Sequence, residues 1–440
     1  MSRLEDRFYY FAKITLEAET PLMLASGKSG IFFDVELVRD ANNLPAIPGT
    51  TIVGLLRHSI SQKHPELVDS LFGQINDSRK RNISALECSW AYVHDSNNKY
   101  HKSFIPREQI SKDSILKELA EFNNPNFVRD HVRLSDKGVA IHSGKFDRSF
   151  VPAGTRFTFT LGLWQKERNN LFEEILSEIS KPTFRIGGAG RAGYGKTKVI
   201  NILVPQNAGA YDIVDLENFR TEKLISFPIP VCLDFKSETI SLRFPQGFRI
   251  GGGTHSFLEN SHAADMLPYS EITIQWNSDH GQFTANNSRQ VVIPGSSIKG
   301  ALRHRAAFHL ARIKQNWVCE NQDAKSDGLE EIFGSVDNDR AIAGKVWFSD
   351  IYLKQNTPTY QQARNSIDRF TGGTRKGALF QEENVRVSKT LETTIYFDTS
   401  LDLTTDAYKA FSWALEDLKN GRLAIGGGSG HGLGFNKADR

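Results

Sequence analysis

Apolar positions along this chain fall into short runs of alternating period, with glycine and proline between them. Phe8-Tyr-Tyr-Phe-Ala-Lys-Ile-Thr-Leu16 is apolar and β-branched and predicts a strand. A Gly/Ser-rich turn follows at 25–30, then a second apolar run, Ile31–Val38. Pro48-Gly49 breaks the chain. Thr50 or Thr51 is placed to cap a helix to about Lys63, with Ile52, Val53, Leu55, Leu56 and Ile60 on its apolar face. A strand around Ser89–Val93, a β-hairpin at 132–150, a strand at Thr155–Leu163, a helix near 168–179 and a strand near 183–200 complete the series.

The series then repeats. Residues 47–58 read Ile-Pro-Gly-Thr-Thr-Ile-Val-Gly-Leu-Leu-Arg-His, and residues 293–304 read Ile-Pro-Gly-Ser-Ser-Ile-Lys-Gly-Ala-Leu-Arg-His. Strands are expected at Pro230–Phe235 and Thr239–Phe244, followed by the glycine run Gly251–Gly253. A helix capped at Ser296 or Ser297 should run to about Asn316. Ile332-Phe333-Gly334 mirrors Leu71-Phe72-Gly73, Val346–Asp350 mirrors the strand at 89–93, and Asp368–Arg386 mirrors the hairpin. A helix at 405–419 and a Gly-rich return at 425–435 close the copy. The fold class is α+β: two tandem ferredoxin-like, RRM-like modules at 1–203 and 225–440, each with an inserted hairpin, joined by a linker at 204–224.

Composition narrows the setting. The 440 residues suit two or three domains, and the apolar and charged fractions, 39% and 24%, are those of a soluble globular protein. No apolar stretch is long enough to span a bilayer, and Met1–Arg7 lacks the apolar core of a signal peptide. Cys88, Cys232 and Cys319 are far apart, which argues against a disulfide framework or structural zinc and points to a reducing cytoplasm. A net charge of +3 does not by itself announce a nucleic acid. Distribution does more: basic residues recur beside Gly-rich turns in both halves.

Each Pro-Gly-hydroxyl segment opens a helix, where unpaired N–H groups and the helix dipole favour an anion. Thr50 and Thr51, or Ser296 and Ser297, are candidates to contact a phosphate, with Arg57, Lys299 and Arg303 on the same helices. One such segment is an ordinary N-cap; two copies, each with a Gly-rich loop downstream, favour an anion site. The loops Ile186–Gly195 and Ile425–Gly434 can offer backbone amides to a polynucleotide, with Arg191, Tyr194 and His431 inside them. Gly190–Thr197 fits the phosphate-loop spacing, but β-branched sequence follows it where a helix is required, so no nucleotide cofactor is expected.

With these motifs in view, the chain resembles the RAMP superfamily of CRISPR-associated proteins, and within it the fused double backbone subunit of type III, III-D-like, effector complexes. The Ile-Pro-Gly-Ser-Ser-Ile-Lys-Gly-Ala-Leu-Arg motif carries most of the resemblance. An Asp upstream of each copy, the Phe-Gly turn before a strand ending in Ser-Asp, and Asp368-Arg-Phe-Thr-Gly-Gly support it. The resemblance implies a subunit that binds crRNA along a filament. A hairpin "thumb" from each module would disrupt guide–target pairing, and one Asp per module would cleave the target single-stranded RNA with Mg2+ or Mn2+. The partners it implies are the two RNAs and other type III effector subunits, with no membrane.

Carried onto this sequence, the cleavage and substrate-dependent metal residues are Asp34 and Asp265. By residue type alone each is a turn or capping aspartate; position relative to the motif gives it the other role. Lys137, Arg148, Phe370 and Lys376 are thumb candidates by hairpin position. The sequence departs from the pattern at Ala25-Ser26-Gly27-Lys28, where a Gly-rich run is common, and in the long spacer 266–292. Two alternatives stand beside this reading: a metal-independent guide-processing endoribonuclease of the same superfamily, using His acid–base catalysis, and a non-catalytic RNA-binding subunit.

Overall fold

A computed structural model describes residues 8–27, 35–76, 80–135, 139–206, 211–212, 223–232, 235–258, 264–285, 288–315, 328–337, 340–354 and 357–437. Asp34, Lys137 and Cys319 lie outside the described residues.

Strict alternation makes β1 (Phe8–Ala18) a half-buried strand: Tyr10, Ala12, Ile14, Leu16 and Ala18 are buried and the residues between them are not. It pairs antiparallel with β5 (Arg156–Gln165) on one side and β6 (Thr197–Pro205) on the other, so that Ile14 faces Phe159 and Ile202. β5 in turn pairs with β2 (Ala91–Val93). The four core strands lie in the order β6–β1–β5–β2, fourth–first–third–second, which is ferredoxin-like. Helices α1 (Gly49–Lys63) and α2 (Leu171–Ile179) contribute Ile52, Leu56, Ile60, Phe172, Ile175 and Leu176 to the core. Each full aliphatic burial of this kind is worth about 1.5–3 kcal/mol. A hairpin of β3 (Val128–Leu134) and β4 (Ala140–Ser149) is inserted between β2 and β5.

The second module repeats the arrangement. β7 (Lys236–Leu242), α3 (Gly295–Ile313), β8 (Val346–Trp347), the hairpin β9 (Thr359–Arg364) and β10 (Phe380–Val385), β11 (Leu391–Phe397) and α4 (Asp406–Lys419) follow in sequence. The sheet runs β7–β11–β8. The fourth position, beside β7, is an irregular return: Arg243 N–H donates to Asn436 Oδ1 (2.6 Å) and Lys437 N–H to the Arg243 carbonyl (2.8 Å). The fold is therefore α+β in two tandem modules, as the repeat predicts.

Backbone hydrogen bonds fix the correspondence between copies residue by residue. Gly188 N–H donates to Met23 O and Gly427 N–H to Arg249 O; Gly195 N–H donates to Pro21 O and Gly434 N–H to Gly247 O. Val38 bonds Leu24 and Ala46 as Tyr269 bonds Ile250 and Val292. Ile47 pairs with Ala91, and Ile293 with Ile351.

Several expectations are corrected. The helix N-caps are Pro48 and Pro294, both extended (ψ 138° and 139°) and without side-chain caps, so Thr50, Thr51, Ser296 and Ser297 sit inside the first turn. No strand forms over the described part of Pro230–Phe235; the first strand of module two starts at Lys236. The final strand of module one starts at Thr197, not near 183, because the preceding glycines turn the chain. The first hairpin begins at Val128, and the second is built of 359–364 and 380–385, so Asp368–Ala378 forms its end loop. Leu224–Ser226 pairs with β6 and Tyr211–Asp212 with β1, which brings parts of the linker into the first sheet.

Candidate nucleic-acid interface

The glycine-rich loop of module one lies across the N-terminus of α3 in module two. Gly193 (φ 110°) forms a parallel bridge to Ser349, and a side chain on Gly193 would collide with the Asp350 carboxylate. A side chain on Gly295 would in turn meet the Gly193 backbone. Only glycine permits this approach from either side. Arg185 Nη2 donates to Ser349 Oγ (2.9 Å), and Arg191 donates to the Gly344 carbonyl with its guanidinium 4.8 Å from the Trp347 ring centroid.

Beneath this contact is a dry ionic cluster. Arg129, at the base of β3, reaches Asp350 Oδ2 at 2.9 Å and bonds Glu271 through both Nε and Nη2. Tyr269 OH donates to Glu271 Oε1 (2.6 Å) and Tyr352 OH to Oε2 (2.5 Å). Burial opposes charge on Arg129, but the two carboxylates outweigh it and hold its pKa well above the usual range. Asp350 also accepts from Gly295 N–H (2.7 Å). The first amide of α3 is thus satisfied by the protein's own carboxylate, which leaves Ser296, Ser297 and the cations beyond as the groups free to meet an anion.

Those cations converge. Lys299 and Arg303 on α3, Arg191 from the module-one loop and Arg148 on β4 surround one half-buried spot. Burial first, then Arg303, Arg191 and Arg148, pull the Lys299 pKa down to about 8. Among the described residues, no ion pair joins Lys299, Arg303 or Arg148 to a carboxylate. Lys299, Arg303 and Arg148 have no paired carboxylate and Arg191 has Asp398 near it, so positive charge is in excess here and favours an anion. Beside it, Arg148 packs 4.8 Å over the Phe146 ring, and His131 stacks on Phe146 at 5.1 Å and meets Tyr194 OH at 2.9 Å. Burial, with Arg148 and Arg129, lowers the His131 pKa to about 3, so its imidazole is neutral at physiological pH.

The hairpins project apolar residues outward. Val132, Leu134, Val139 and Ile141 are exposed on the first, and Ile367, Phe370 and Leu379 on the second. Phe370 is 99% exposed at a preformed turn: Asp368 Oδ1 accepts from the Phe370 and Thr371 amides at 3.0 and 2.9 Å. Lys376 is exposed in the same end loop.

Asp265 is exposed beside the second hairpin, near the end-loop side of its strands, where its Oδ2 accepts from Gln381 N–H (2.8 Å). It stands four residues before Tyr269; Asp34 stands four before Val38, the corresponding position in module one. Among the described residues no three His, Cys, Asp or Glu side chains gather as a metal cluster.

The structure therefore brings Arg148, Arg191, Ser296, Ser297, Lys299 and Arg303 to one seam between modules. Thr50, Thr51 and Arg57 sit on α1 of module one, and His431 is exposed in the loop of module two. Sequence reasoning missed Arg129, Glu271, His131 and Phe146. Gly190–Thr197 runs into β6, a strand, as the β-branched residues after it predict. No helix among the described residues is long and apolar enough to cross a membrane.

A family model described as the RAMP superfamily matches residues 15–198 and again 249–437. No curated protein matches the chain. Among solved structures it is similar to a type III-B Cmr-beta bound to cognate target RNA, at 17% identity and TM-score 0.31 over 45% of this chain and 61% of that one, less than two thirds of its length. It is similar to apo type III-B Cmr-beta at 13% identity and TM-score 0.30, over 43% of this chain and 96% of the other. The Csm3-Csm4 subcomplex of a type III-A CRISPR-Cas interference complex aligns at 15% identity and TM-score 0.29, over 50% of this chain and 89% of that one.

Proposed function

The chain belongs to the RAMP superfamily, and from that premise we propose that it is a crRNA-binding backbone subunit of a type III CRISPR effector that cleaves guide-paired target RNA. The observation that carries the proposal is the cation cluster of Arg148, Arg191, Lys299 and Arg303, assembled from both modules, in which Lys299, Arg303 and Arg148 have no ion-pair partner among the described residues. A phosphate placed there neutralises the excess positive charge of Lys299, Arg303 and Arg148, with the Ser296 and Ser297 hydroxyls at hand as hydrogen-bond partners.

The exposed apolar ends of the two hairpins suit a wedge between stacked bases. Unstacking a step costs a few kcal/mol, which contacts along the backbone offset. Phe370, held out by the Asp368 turn, is the residue best placed to enter such a step in module two.

Asp265, and Asp34 at the matching sequence position, are the proposed cleavage residues. One Asp265 oxygen is held by Gln381 N–H, leaving the other for a hard cation. A lone carboxylate fits a divalent metal only when RNA oxygens complete the shell, so metal and substrate would bind together. When bound, Mg2+ or Mn2+ would lower the pKa of the attacking ribose 2′-hydroxyl. The chain's own part is to hold the backbone in the seam, splay the bases and present the carboxylate.

The test is purification of the full chain with its complex. Guide-length RNA should travel with it, and added complementary RNA should be cut at spaced positions when Mg2+ or Mn2+ is present. Lys299→Glu with Arg148→Glu should strip the RNA. Binding of the target without any cutting would select the structural RNA-binding alternative.

A further inference from the structure

The sheet of module one buries one face against its helices. On its other face Lys13, Thr15, Thr158 and Asn201 line a cleft of about 970 Å3, inside the range of small-molecule sites (about 300–1,000 Å3). The segment His94–His101, which follows β2, forms one wall. Module two supplies another: the turn of the hairpin Ile274–Phe283 brings Ser278 and Asp279 into the lining. Backbone and indole bonds fix that hairpin on module one. Ile274 N–H donates to the Ala153 carbonyl (2.9 Å), Trp276 Nε1 to the Gly154 carbonyl (2.7 Å) and Gly281 N–H to the Ser96 carbonyl (2.8 Å).

A directed chain of hydrogen bonds runs through the cleft. Asn98 Nδ2 donates to Asp279 Oδ1 (3.1 Å), which leaves Asn98 Oδ1 and the Asn98 carbonyl facing His94 Nδ1 at 2.9 and 3.1 Å. Both oxygens only accept, so Nδ1 carries the His94 proton. Burial lowers the His94 pKa, so Nε2 is unprotonated and accepts from the Thr158 hydroxyl (2.7 Å). Thr158 Oγ1 in turn accepts from the Thr15 hydroxyl (2.7 Å). The Thr15 proton is thereby spent, and Thr15 offers the cleft its lone pairs alone. Asp279 has Oδ2 unbonded among the described residues. The donors are cations. Lys13, with Nζ 4.5 Å from the Tyr100 ring centroid, and Lys99 form no ion pair among the described residues. Arg156 uses Nε on Glu17 (2.8 Å) and lies 4.1 Å from the Trp276 ring centroid. The fold does not demand this set: the strand registers put Thr239, Ser241, Glu392 and Lys354 of module two where module one has Lys13, Thr15, Thr158 and His94.

Cations and pure acceptors therefore share one cleft, and a ligand that matches it carries both an anion and hydroxyl donors. We propose that the cleft binds a phosphorylated ribose, as in a ribonucleotide, with its phosphate at Lys13, Lys99 and Arg156 and its sugar hydroxyls donating to Thr15 Oγ1 and Asp279 Oδ2. Inorganic phosphate leaves the acceptors unmatched, and an uncharged nucleoside leaves the cations unmatched. Recognition runs through sugar and phosphate, so it does not select the base. The cleft is separate from the seam of Arg148 and Lys299, and the inference does not depend on RNA lying in that seam.

The test is calorimetric titration of the RNA-free full chain with adenosine 5′-monophosphate, its 2′,3′-dideoxy analogue and adenosine. Wild type, Lys13→Gln, Thr15→Val and the exposed control Lys112→Gln are compared, with thermal unfolding to confirm that each folds. Wild type should bind the monophosphate about tenfold more tightly than either analogue. Lys13→Gln should weaken both phosphates about tenfold and leave adenosine unchanged. Thr15→Val should narrow the gap between the ribo and dideoxy compounds, and the control should match wild type. No saturable binding at millimolar concentration, equal affinity of wild type for the ribo and dideoxy compounds, or wild-type affinity in Lys13→Gln overturns the inference. Competition with a 5′-phosphorylated oligoribonucleotide identifies the source of the ligand. Displacement of the monophosphate at lower concentration than the monophosphate itself requires assigns the cleft to a strand end, and weaker displacement assigns it to a free nucleotide.

Discussion

Arg129 and Asp350, 221 positions apart in sequence, meet at 2.9 Å with both side chains almost wholly shielded from water. The pair ties the base of one hairpin, where Arg129 stands opposite Arg148, to the other module. Arg129→Ala leaves two buried carboxylates without their cation. A destabilisation of about 3–5 kcal/mol is expected from chemical denaturation. A loss under about 1 kcal/mol would show that the modules are not locked through this residue.

Gly193→Ala and Gly295→Ala test the same junction through shape. Each adds a methyl group where backbone or the Asp350 carboxylate already lies, and Gly193 is also at positive φ. Both should destabilise by about 1–3 kcal/mol. Gly430→Ala, where nothing approaches, should move the melting temperature very little.

The lowered Lys299 pKa gives two pH effects of opposite sign. With a folded value of about 8 against 10.5 unfolded, the unfolded chain binds more protons between those limits. The Lys299 contribution to stability therefore rises with pH through that window, because the charged amine is a cost below it. RNA affinity should fall over the same window as the free protein loses the charge. Lys299→Gln should flatten both profiles, read by denaturation and by binding titrations from pH 7 to 10 (about the range set by the reference lysine value).

Asp265→Ala and Asp34→Ala should each abolish one set of target cuts while leaving guide binding within about threefold. Sequencing of the product ends distinguishes the two sets. An unchanged cut pattern in both variants would remove the aspartates from the reaction.

Phe370 is solvent-exposed, so Phe370→Ala should change stability by no more than about 0.5 kcal/mol. Its effect should appear in the RNA: a 2-aminopurine opposite the second hairpin should lose its fluorescence rise on binding. Equal fluorescence in wild type and variant would argue against a wedge.

Much of this fold is legible in the sequence because the duplicated motif is long and the strands alternate cleanly. Ile52, Leu56 and Ile60 mark α1, and Ile14 and Phe159 mark the first sheet. The hydroxyl residues after Pro-Gly were misread as caps because proline already supplies the extended N-cap geometry at Pro48 and Pro294. The second hairpin was displaced because Thr359-Tyr-Gln-Gln-Ala-Arg364 has no apolar alternation. Four seam cations were singled out, but their convergence could not be read, since it depends on a loop of one module lying on a helix of the other. Arg129 sits in the polar run Val128-Arg-Asp-His-Val-Arg-Leu134, where nothing marks it as buried.

The most direct measurement is the salt dependence of guide-length RNA binding by the full chain. For a single strand, each phosphate contact contributes about 0.7 to the slope of log K against log salt. Lys299→Gln and Arg148→Gln should each reduce the slope by about that amount, and the exposed control Lys112→Gln should not. Equal slopes for wild type and all three variants would contradict the assignment of the inter-module seam as the RNA-binding surface.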